Sequence, residues 1–210
     1  MILDAFKLCF WDFDGVIKES VEIKTQAYFS LFELFGFGVA SKVRKHHIAN
    51  GGMSRFDKFP IYLQWAGIEP THDVLADYCA KYSQRVLQGV IDSPWVEGAE
   101  KYLRSNKHKQ IFVLVSATPQ DELEYIVKAL NLVECFSRIY GAPTTKQDAI
   151  FKTIKHHNLD PSECLMIGDA SADLKAASAN QVPFLLRRHQ SNAEIFSSYF
   201  GPSVKDFIKL

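Results

Sequence analysis

The sequence has no surplus of charge of either sign. Its 210 residues include 24 Lys and Arg and 24 Asp and Glu, which gives a formal net charge of zero. Proteins that bind nucleic acid through its phosphates usually carry a basic face or a high isoelectric point. The balance leaves room for a local basic patch, but it gives no reason to expect nucleic acid as a partner.

Cysteines and long apolar runs are also scarce. The four cysteines, Cys9, Cys79, Cys135 and Cys164, lie far apart and form no C-x-x-C pair, which argues against a zinc knuckle or a dithiol redox site. No apolar run approaches the roughly 20 residues that cross a bilayer. The first apolar segment is short and contains Asp4, unlike a secretory signal. We therefore expect a reduced, cytoplasmic protein without a membrane partner.

Four short apolar runs predict buried β-strands. They are continuous rather than alternating, which is typical of strands covered on both faces: KLCFWDF (7–13), IFVLVSA (111–117), CLMIGDA (164–170) and VPFLL (182–186). Helical patterns lie between the last three, at 119–130, 146–159 and 171–179. The second of these places Ile150, Phe151 and Ile154 on one face, and Ser171 is the expected cap of the third. Strands that alternate with helices predict an α/β fold with a doubly wound parallel sheet.

The interval from 18 to 88 contains no comparable strand. Three helical patterns fill it, at 20–36, 54–67 and 71–89, and each is expected to end at its final glycine. Pro60, within the second pattern, predicts a kink or a new turn. We therefore expect an α/β core formed by residues 1–17 and 89–210, with a helical insertion at 18–88.

Polar residues follow the predicted strands where each one ends. Asp12 and Asp14 end the first, Ser116 ends the second, and Asp169 ends the third, with Asp173 one helical turn further on. The carboxyl ends of parallel strands meet at one edge of a sheet, where open α/β sheets bind ligands. Carboxylates crowd most favourably around a cation, and a small set of hard oxygen ligands suits Mg²⁺.

Other interpretations of the DFDG segment (12–15) fit less well. An EF-hand loop is excluded because Gly15 directly follows Asp14 and Val16 occupies the third ligand position. An Asp14 that only caps a turn would leave Ser116 and Asp169 at their strand ends unexplained. The GFG segment (36–38) lacks the third glycine of a dinucleotide-binding loop, and the chain has no P-loop motif.

The order of these motifs resembles the haloacid dehalogenase superfamily of aspartate-nucleophile phosphotransferases. The motifs are DFDGVIKES (12–20), VSAT (115–118), a lysine, and IGDASAD (167–173). The helical insertion is similar in position to the cap of these enzymes. The branch with the closest resemblance comprises phosphoglycolate phosphatase and β-phosphoglucomutase. A softer resemblance connects HHIANGGMSRFDKF (46–59) with sugar-phosphate phosphatases of surface-polysaccharide pathways.

The resemblance implies a role for each carboxylate. Asp12 would be the nucleophile that accepts the phosphoryl group, and Asp14 would be the acid and base for the leaving group and the attacking water. Mg²⁺ would bind the Asp12 carboxylate, the Asp14 backbone carbonyl and Asp169. Asp173 would reach the metal through water or orient Lys146, although it would also suit the first turn of a helix.

Cationic and small residues complete the expected site. Ser116 and Lys146 would hold the transferring phosphoryl group, with Lys152 as the alternative lysine. Gly51 and Gly52 would let the backbone approach a substrate. Arg55 of the insertion would bind an anionic group bidentately unless it is a surface arginine of a turn. The two histidine pairs, His46–His47 and His156–His157, would lie on the surface.

We therefore expect a Mg²⁺-dependent phosphatase that acts on a small phosphorylated metabolite, a sugar or sugar-acid phosphate, through an aspartyl-phosphate. A phosphomutase, in which a second hydroxyl accepts the phosphoryl group, remains an alternative because water exclusion decides between the two. A phosphoacceptor module without turnover, like a response-regulator receiver, is an alternative of another class. The sequence leaves the oligomeric state open.

Overall fold

The structure is a computed structural model that describes residues 3–208. Its centre is a six-stranded sheet in the order β3-β2-β1-β4-β5-β6, and every neighbouring pair of strands is parallel. The strands are β1 (Leu8–Trp11), β2 (Ile111–Pro119), β3 (Arg138–Ala142), β4 (Cys164–Gly168), β5 (Phe184–Arg187) and β6 (Ser203–Val204). The predicted α/β fold with a parallel sheet is confirmed.

Two layers of helices cover the sheet, as the continuous apolar strands predict. The helices of this part of the chain are α5 (Ala99–Ser105), α6 (Gln120–Ala129), α7 (Lys146–His157) and α8 (Ser171–Ala179). All four residues of the central strand β1 are fully buried. The sequence did not predict β3, whose first residues are partly exposed at the sheet edge, or β6, which has only two residues.

Two details of these helices differ from the predictions. Phe151 is 59% exposed because the buried stripe of α7 consists of Lys146, Ala149, Ile150 and Thr153, at the spacing of one helical face. Ser171 is the first residue of α8 rather than its cap. The cap position is occupied by Ala170, and its backbone N–H donates to the Asp173 carboxylate at 3.0 Å.

Four helices form a separate layer over the carboxyl edge of the sheet. They are α1 (Val21–Phe32), α2 (Phe37–Ala49), α3 (Arg55–Trp65) and α4 (His72–Asp92), and we call residues 21–92 the cap. Aromatic rings make up much of its interior, with centroid distances of 4.2 Å between Tyr28 and Tyr82 and 5.5 Å between Tyr28 and Phe59. Helix α2 was not predicted, because only Ala40 and Val43 of its residues are buried.

Gly36 and Gly67, both with positive φ, follow the ends of their helical segments as predicted, but Gly89 and Pro60 do not interrupt their helices. Helix α4 continues through Gly89 to Asp92, past the predicted boundary at 88. A Cβ at Gly89 would lie 3.1 Å from the Ile23 side chain, so glycine permits close packing of α4 against α1. Pro60 lies inside an unbroken α3. None of the helices within residues 3–208 combines the length and apolarity needed to cross a membrane.

Two segments, residues 17–19 and 94–96, connect the cap to the core and lie side by side. The backbone N–H of Val96 donates to the Ile17 carbonyl at 2.9 Å, and that of Glu19 donates to the Pro94 carbonyl at 2.9 Å. The Glu19 carboxylate also forms an ion pair with the buried Arg187 of β5. The cap is therefore attached through a paired hinge at the edge of the sheet where the predicted site residues lie.

Candidate active site

Three predicted carboxylates come together at the carboxyl edge of the sheet. Asp12 follows β1, Asp169 follows β4, and Asp173 lies in the first turn of α8. Each offers an oxygen atom within 4.8 Å of those of the other two, and all three side chains are buried. Parallel strands therefore bring together residues that are more than 150 positions apart in the sequence.

Lys146 is the lysine that faces this cluster. It opens α7, and its Nζ lies 2.7 Å from Asp12 Oδ1 and 2.5 Å from Asp173 Oδ1. Burial alone would lower the pKa of the Lys146 ammonium, but the charges of Asp12 and Asp173 raise it. Lys152, the alternative lysine, is exposed on the other side of α7.

The electrostatics of the cluster favour an additional cation. Burial raises the pKa of Asp12 well above its usual value, and the nearby charge of Asp173 raises it further, while Lys146 opposes the shift. Burial also raises the pKa of Asp169. A divalent ion would offset the repulsion among these groups, and a set of hard carboxylate oxygens is the ligand type that suits Mg²⁺. The residues present therefore fit such an ion.

Close backbone packing fixes the positions of the carboxylates. The Asp173 carboxylate accepts hydrogen bonds from the backbone N–H groups of Asp169 at 3.2 Å and Ala170 at 3.0 Å. A side chain at Gly15 would collide with the Asp169 carboxylate, and one at Gly168 would collide with Asp173. Gly15 also has a positive φ of 75°, which favours glycine.

His189 and Asn192 also hold Asp169, although the sequence did not single them out. His189 Nε2 lies 2.8 Å from Asp169 Oδ2, and Asn192 donates to the Asp169 carbonyl at 2.8 Å. Both residues follow β5: His189 precedes a short 3₁₀ helix (Gln190–Asn192) and Asn192 ends it, in a segment without a recognisable motif. No sequence signal could have found them.

Asp14 lies in the same cavity but has its own partners. Ser20 donates to its carboxylate at 2.6 Å, and the Nζ of Lys24 lies 2.5 Å away and also 2.8 Å from Thr118 Oγ1. Burial by itself would raise the pKa of Asp14, but the charge and hydrogen bond of Lys24, with the bond from Ser20, lower it below its usual value. Lys24 belongs to α1 of the cap and was not predicted as a site residue.

Ser116 also lines the cavity, as the sequence predicts. It does not end its strand as predicted but lies within β2, where the pairing with β3 shifts register between Val115 and Pro119. Ser116 is buried, and its Oγ accepts a hydrogen bond from the backbone N–H of Thr118 at 3.2 Å. This bond stabilises the last part of β2, where Ser116, Ala117 and Thr118 line the same cavity as Asp12. The Ser116 hydroxyl group is thus a donor available to an anion bound in this cavity.

The cap loop with Gly51 and Gly52 closes the cavity from above. A Cβ at Gly52 would lie 2.7 Å from Ala172 Cβ, and one at Gly51 would lie 3.1 Å from Ala170 Cβ. The loop therefore contacts the beginning of α8 so closely that larger residues would push the cap away. Both glycines line the cavity, as expected for residues near a substrate.

Arg55 lies beside this loop but is not a surface residue. Its guanidinium is buried and forms two hydrogen bonds with the carboxylate of Glu122 on α6, at 2.8 and 2.6 Å. Ser83 of α4 contacts both groups, at 2.5 Å from Arg55 and 2.6 Å from Glu122. The bidentate geometry expected toward a substrate is thus formed with an acid of the core.

The expectation that His46 and His47 lie on the surface is wrong. His46 is partly buried, with Nδ1 3.0 Å from the Tyr62 hydroxyl. His47 lines the cavity, packs against the Tyr28 ring and lies 2.9 Å from the Nζ of the buried Lys58. The side chains of adjacent helical residues point about 100° apart. Both histidines are nevertheless covered, because His46 faces the interior of the cap and His47 faces the cavity on the neighbouring side of α2.

Comparison with known protein families agrees with this geometry. The haloacid dehalogenase-like hydrolase family profile matches residues 9–186, which is most of the chain. The chain belongs to this family. The match confirms the family recognised from the motifs and the expectation of a hydrolase enzyme. A search of the curated proteins gave no significant match.

Solved structures of this hydrolase family share its fold. A protein described as a predicted phosphoglycolate phosphatase from Haemophilus somnus is similar at 18% identity and a TM-score of 0.73, covering 98% of this chain and 96% of that one. A β-phosphoglucomutase from Clostridium difficile is similar at 17% identity and a TM-score of 0.77, covering 98% of this chain and 93% of that one. A mutant of CbbY from Rhodobacter sphaeroides in complex with xylulose-(1,5)bisphosphate is similar at 13% identity and a TM-score of 0.74, covering 98% of this chain and 96% of that one.

Proposed function

We propose that the protein is a Mg²⁺-dependent phosphatase that hydrolyses a small phosphorylated metabolite, a sugar or sugar-acid phosphate. The observation that carries the proposal is the buried group of Asp12, Asp169 and Asp173 with Lys146 between two of them. A buried cluster of acids with a single lysine suits an anionic reaction centre that also holds a cation. Membership of a hydrolase family favours turnover over a phosphoacceptor module.

Asp12 is the proposed nucleophile. One of its oxygens would attack phosphorus and form an aspartyl-phosphate, while the bond from phosphorus to the substrate oxygen breaks. Lys146, 2.7 Å from Asp12 Oδ1, and Ser116 would neutralise and orient the non-bridging phosphoryl oxygens. Preorganised groups of this kind typically contribute about 10²- to 10³-fold each to the rate.

Asp14 is the proposed acid and base. It would give a proton to the departing alkoxide and then take one from the water that hydrolyses the intermediate. Its carboxylate pairs with Lys24 of the cap, so the position of the cap affects the proton affinity of Asp14. Movement of the cap would therefore be coupled to the protonation that the first step requires.

A Mg²⁺ ion would be held by the carboxylates of Asp12 and Asp169 and the backbone carbonyl of Asp14, with Asp173 fixing the loop around it. When bound, it would supply positive charge that offsets repulsion between the nucleophile and the phosphate. Nearby, His189 would keep Asp169 in orientation through its 2.8 Å contact. Gly15 leaves the space that Asp169 needs.

Replacement of Asp12 by Asn tests the proposal. We expect the Asp12→Asn variant to lose release of inorganic phosphate from p-nitrophenyl phosphate in the presence of Mg²⁺, because an amide does not form the acyl phosphate. Asp121→Asn, at an exposed position of α6, is the matched control and should keep wild-type turnover. Undiminished turnover by Asp12→Asn would refute the mechanism.

A phosphomutase is the second candidate. The fold is shared with a β-phosphoglucomutase, and the cap loop at Gly51 and Gly52 packs directly on α8, which limits entry of water. The two activities differ in the acceptor of the phosphoryl group. Measuring free phosphate and isomerised product from one good substrate separates them.

A further inference from the structure

Lys58 is a buried cation in the cap wall of the cavity. Its side chain is 2% exposed, and its Nζ lies 2.9 Å from His47 Nδ1. Within residues 3–208, no carboxylate oxygen lies within 4 Å of this ammonium group. Lys58 therefore differs from an ordinary buried lysine, which is paired with an acid.

The other cations that line this cavity are already matched by carboxylates. The three pairs are Lys24 with Asp14, Lys146 with Asp12, and Arg55 with Glu122. The charges of the first pair act on Lys58 in opposite directions: Lys24 lowers the pKa of its ammonium group, and Asp14, which is not in contact with it, raises that pKa. Among the residues that the structure describes, Lys58 is thus the cation of this cavity that is available for an anion from outside the protein.

His47 does not supply the missing negative charge. A lysine ammonium group has only donors, so His47 Nδ1 accepts and the proton of the neutral imidazole lies on Nε2. Burial, together with Lys58, lowers the pKa of His47 well below its usual value, which keeps the ring neutral. An uncompensated buried charge destabilises a fold, so stability does not explain the presence of Lys58.

We propose that Lys58 binds a second anionic group of the substrate, carried by the alcohol part, while the phosphoryl group lies at Asp12. The side chains of Lys58 and Asp12 line one cavity, and Tyr28 and Tyr82 of the cap also line it. The Lys58 Nζ lies 5.7 Å from the centroid of the Tyr28 ring, which helps to hold the ammonium group in place. The substrate class is a phosphomonoester with a carboxylate or a second phosphate. This inference rests on the proposed phosphatase function.

Three matched substrates test the proposal. 3-Phosphoglycerate and glycerol 3-phosphate differ only in a carboxylate at the position of a hydroxymethyl group, and glycerol 1,3-bisphosphate carries a second phosphate instead. We expect wild-type kcat/KM for one of the doubly anionic esters to exceed that for glycerol 3-phosphate by about tenfold to a hundredfold, the range of a hydrogen bond to a charged group. The preferred ester identifies which anion the site binds.

Variants of Lys58 connect this preference to the residue. In Lys58→Met the ratio of kcat/KM between the doubly anionic ester and glycerol 3-phosphate should fall by at least about tenfold, and in Lys58→Arg it should be largely retained. Lys45→Met, at an exposed lysine of α2, is the matched control and should keep the wild-type ratio. A wild-type enzyme without preference, or an unchanged ratio in Lys58→Met, overturns the proposal.

Binding measurements separate this proposal from the proposed catalytic function. Calorimetry of the esters with Asp12→Asn, with and without Lys58→Met, measures the preference in the absence of turnover. Loss of the preference in the double variant supports the subsite even if no ester is hydrolysed, whereas equal affinities in both proteins overturn it. Lys58→Met should also melt at or above the wild-type temperature, because it removes an unpaired buried charge; a lower melting temperature would indicate a structural role instead.

Discussion

The burial of Lys58 should be visible in the pH dependence of stability. Burial lowers the pKa of Lys58 to about 7 in the folded protein, whereas an unfolded lysine has a pKa of about 10.4. Between these values the unfolded chain binds more protons than the folded chain, so the free energy of unfolding rises with pH, by at most about 1.4 kcal/mol per pH unit. Below about pH 7 both states are protonated and the cost of the charge is constant.

We therefore expect the stability gain of Lys58→Met over the wild type to be largest near pH 6.5 and to shrink as the pH rises to 9.5. Denaturant unfolding of both proteins across this range measures the difference. The charged and titratable groups around Lys58 are His46, His47, Tyr28, Lys24 and Asp14. The lowered pKa values of His46, His47 and Asp14 place their titration below the range, and the raised pKa of Tyr28 places its titration above it. A gain that is independent of pH would contradict a depressed pKa for Lys58.

The apolar pattern alone predicted site residues where a strand determines their position, whereas Lys146 and the glycines of the cap loop were identified through the resemblance to a family. Asp12, Ser116 and Asp169 follow apolar runs whose carboxyl ends must meet at one edge of a parallel sheet. Lys24 and Lys58 belong to cap helices, and their place in the cavity depends on how the cap docks on the core. Local patterns of apolar residues do not encode that docking, so these cations resembled ordinary helical lysines.

At the scale of elements, prediction succeeded where burial leaves a strong pattern. Strands β1, β2, β4 and β5 are continuous apolar runs covered on both faces and were predicted. Helix α2 presents only two buried residues and was missed, and α4 was predicted to end at Gly89 because a glycine commonly ends a helix. In the structure this glycine makes room for Ile23 of α1, a contact between helices that no local rule contains.

The buried ion pair of Arg55 and Glu122 connects α3 of the cap with α6 of the core. Their side chains are 4% and 10% exposed, and removal of one partner would leave a buried charge, which typically costs about 3–5 kcal/mol. In Glu122→Gln the Arg55 guanidinium, which lines the cavity, would be free to bind an anion. We expect a lower melting temperature for Glu122→Gln that inorganic phosphate partly restores, measured by thermal unfolding with and without phosphate.

The neighbouring Asp121→Asn provides the control for this element. Asp121 is exposed in the first turn of the same helix, so its replacement should cost no more than about 1 kcal/mol of helix-dipole stabilisation and leave the response to phosphate unchanged. If Glu122→Gln melts like the wild type, the ion pair does not hold α3 to α6. If it melts lower but gains nothing from phosphate over the wild type, Arg55 does not become available to anions.

At the scale of the whole molecule, the cavity is formed from two parts that meet across a hinge. The core contributes the carboxylates and the cap contributes Lys24, Arg55 and Lys58. Opening of the cap would therefore separate Lys24 from Asp14 and Arg55 from Glu122. Residues 17–19 and 94–96 pair with each other at this hinge. Entry of a substrate through an opened cap would therefore break the ion pairs between the cap and the core. The sequence predicted the two parts of the molecule but not the contacts between them.

The carboxylate cluster should couple the stability of the whole fold to Mg²⁺. Three buried acids share one lysine, so the metal-free protein carries repulsion that a cation would relieve. A ligand at a hundred times its Kd stabilises the folded state by about 2.7 kcal/mol, which for a chain of this size raises the melting temperature by roughly 5–10 °C. We expect a shift of this size when Mg²⁺ is added to protein treated with EDTA.

Asp169→Asn separates this linkage from a nonspecific salt effect. The variant removes one of three like charges, so its metal-free form should melt at or above the wild type, and it should lose most of the Mg²⁺ response because an amide is a weaker ligand for a hard cation. Asp121→Asn, which leaves the cluster intact, should respond as the wild type does. A full Mg²⁺ shift in Asp169→Asn would place the ion elsewhere in the molecule, since the loss of a buried carboxylate from its own site could not leave the binding free energy unchanged.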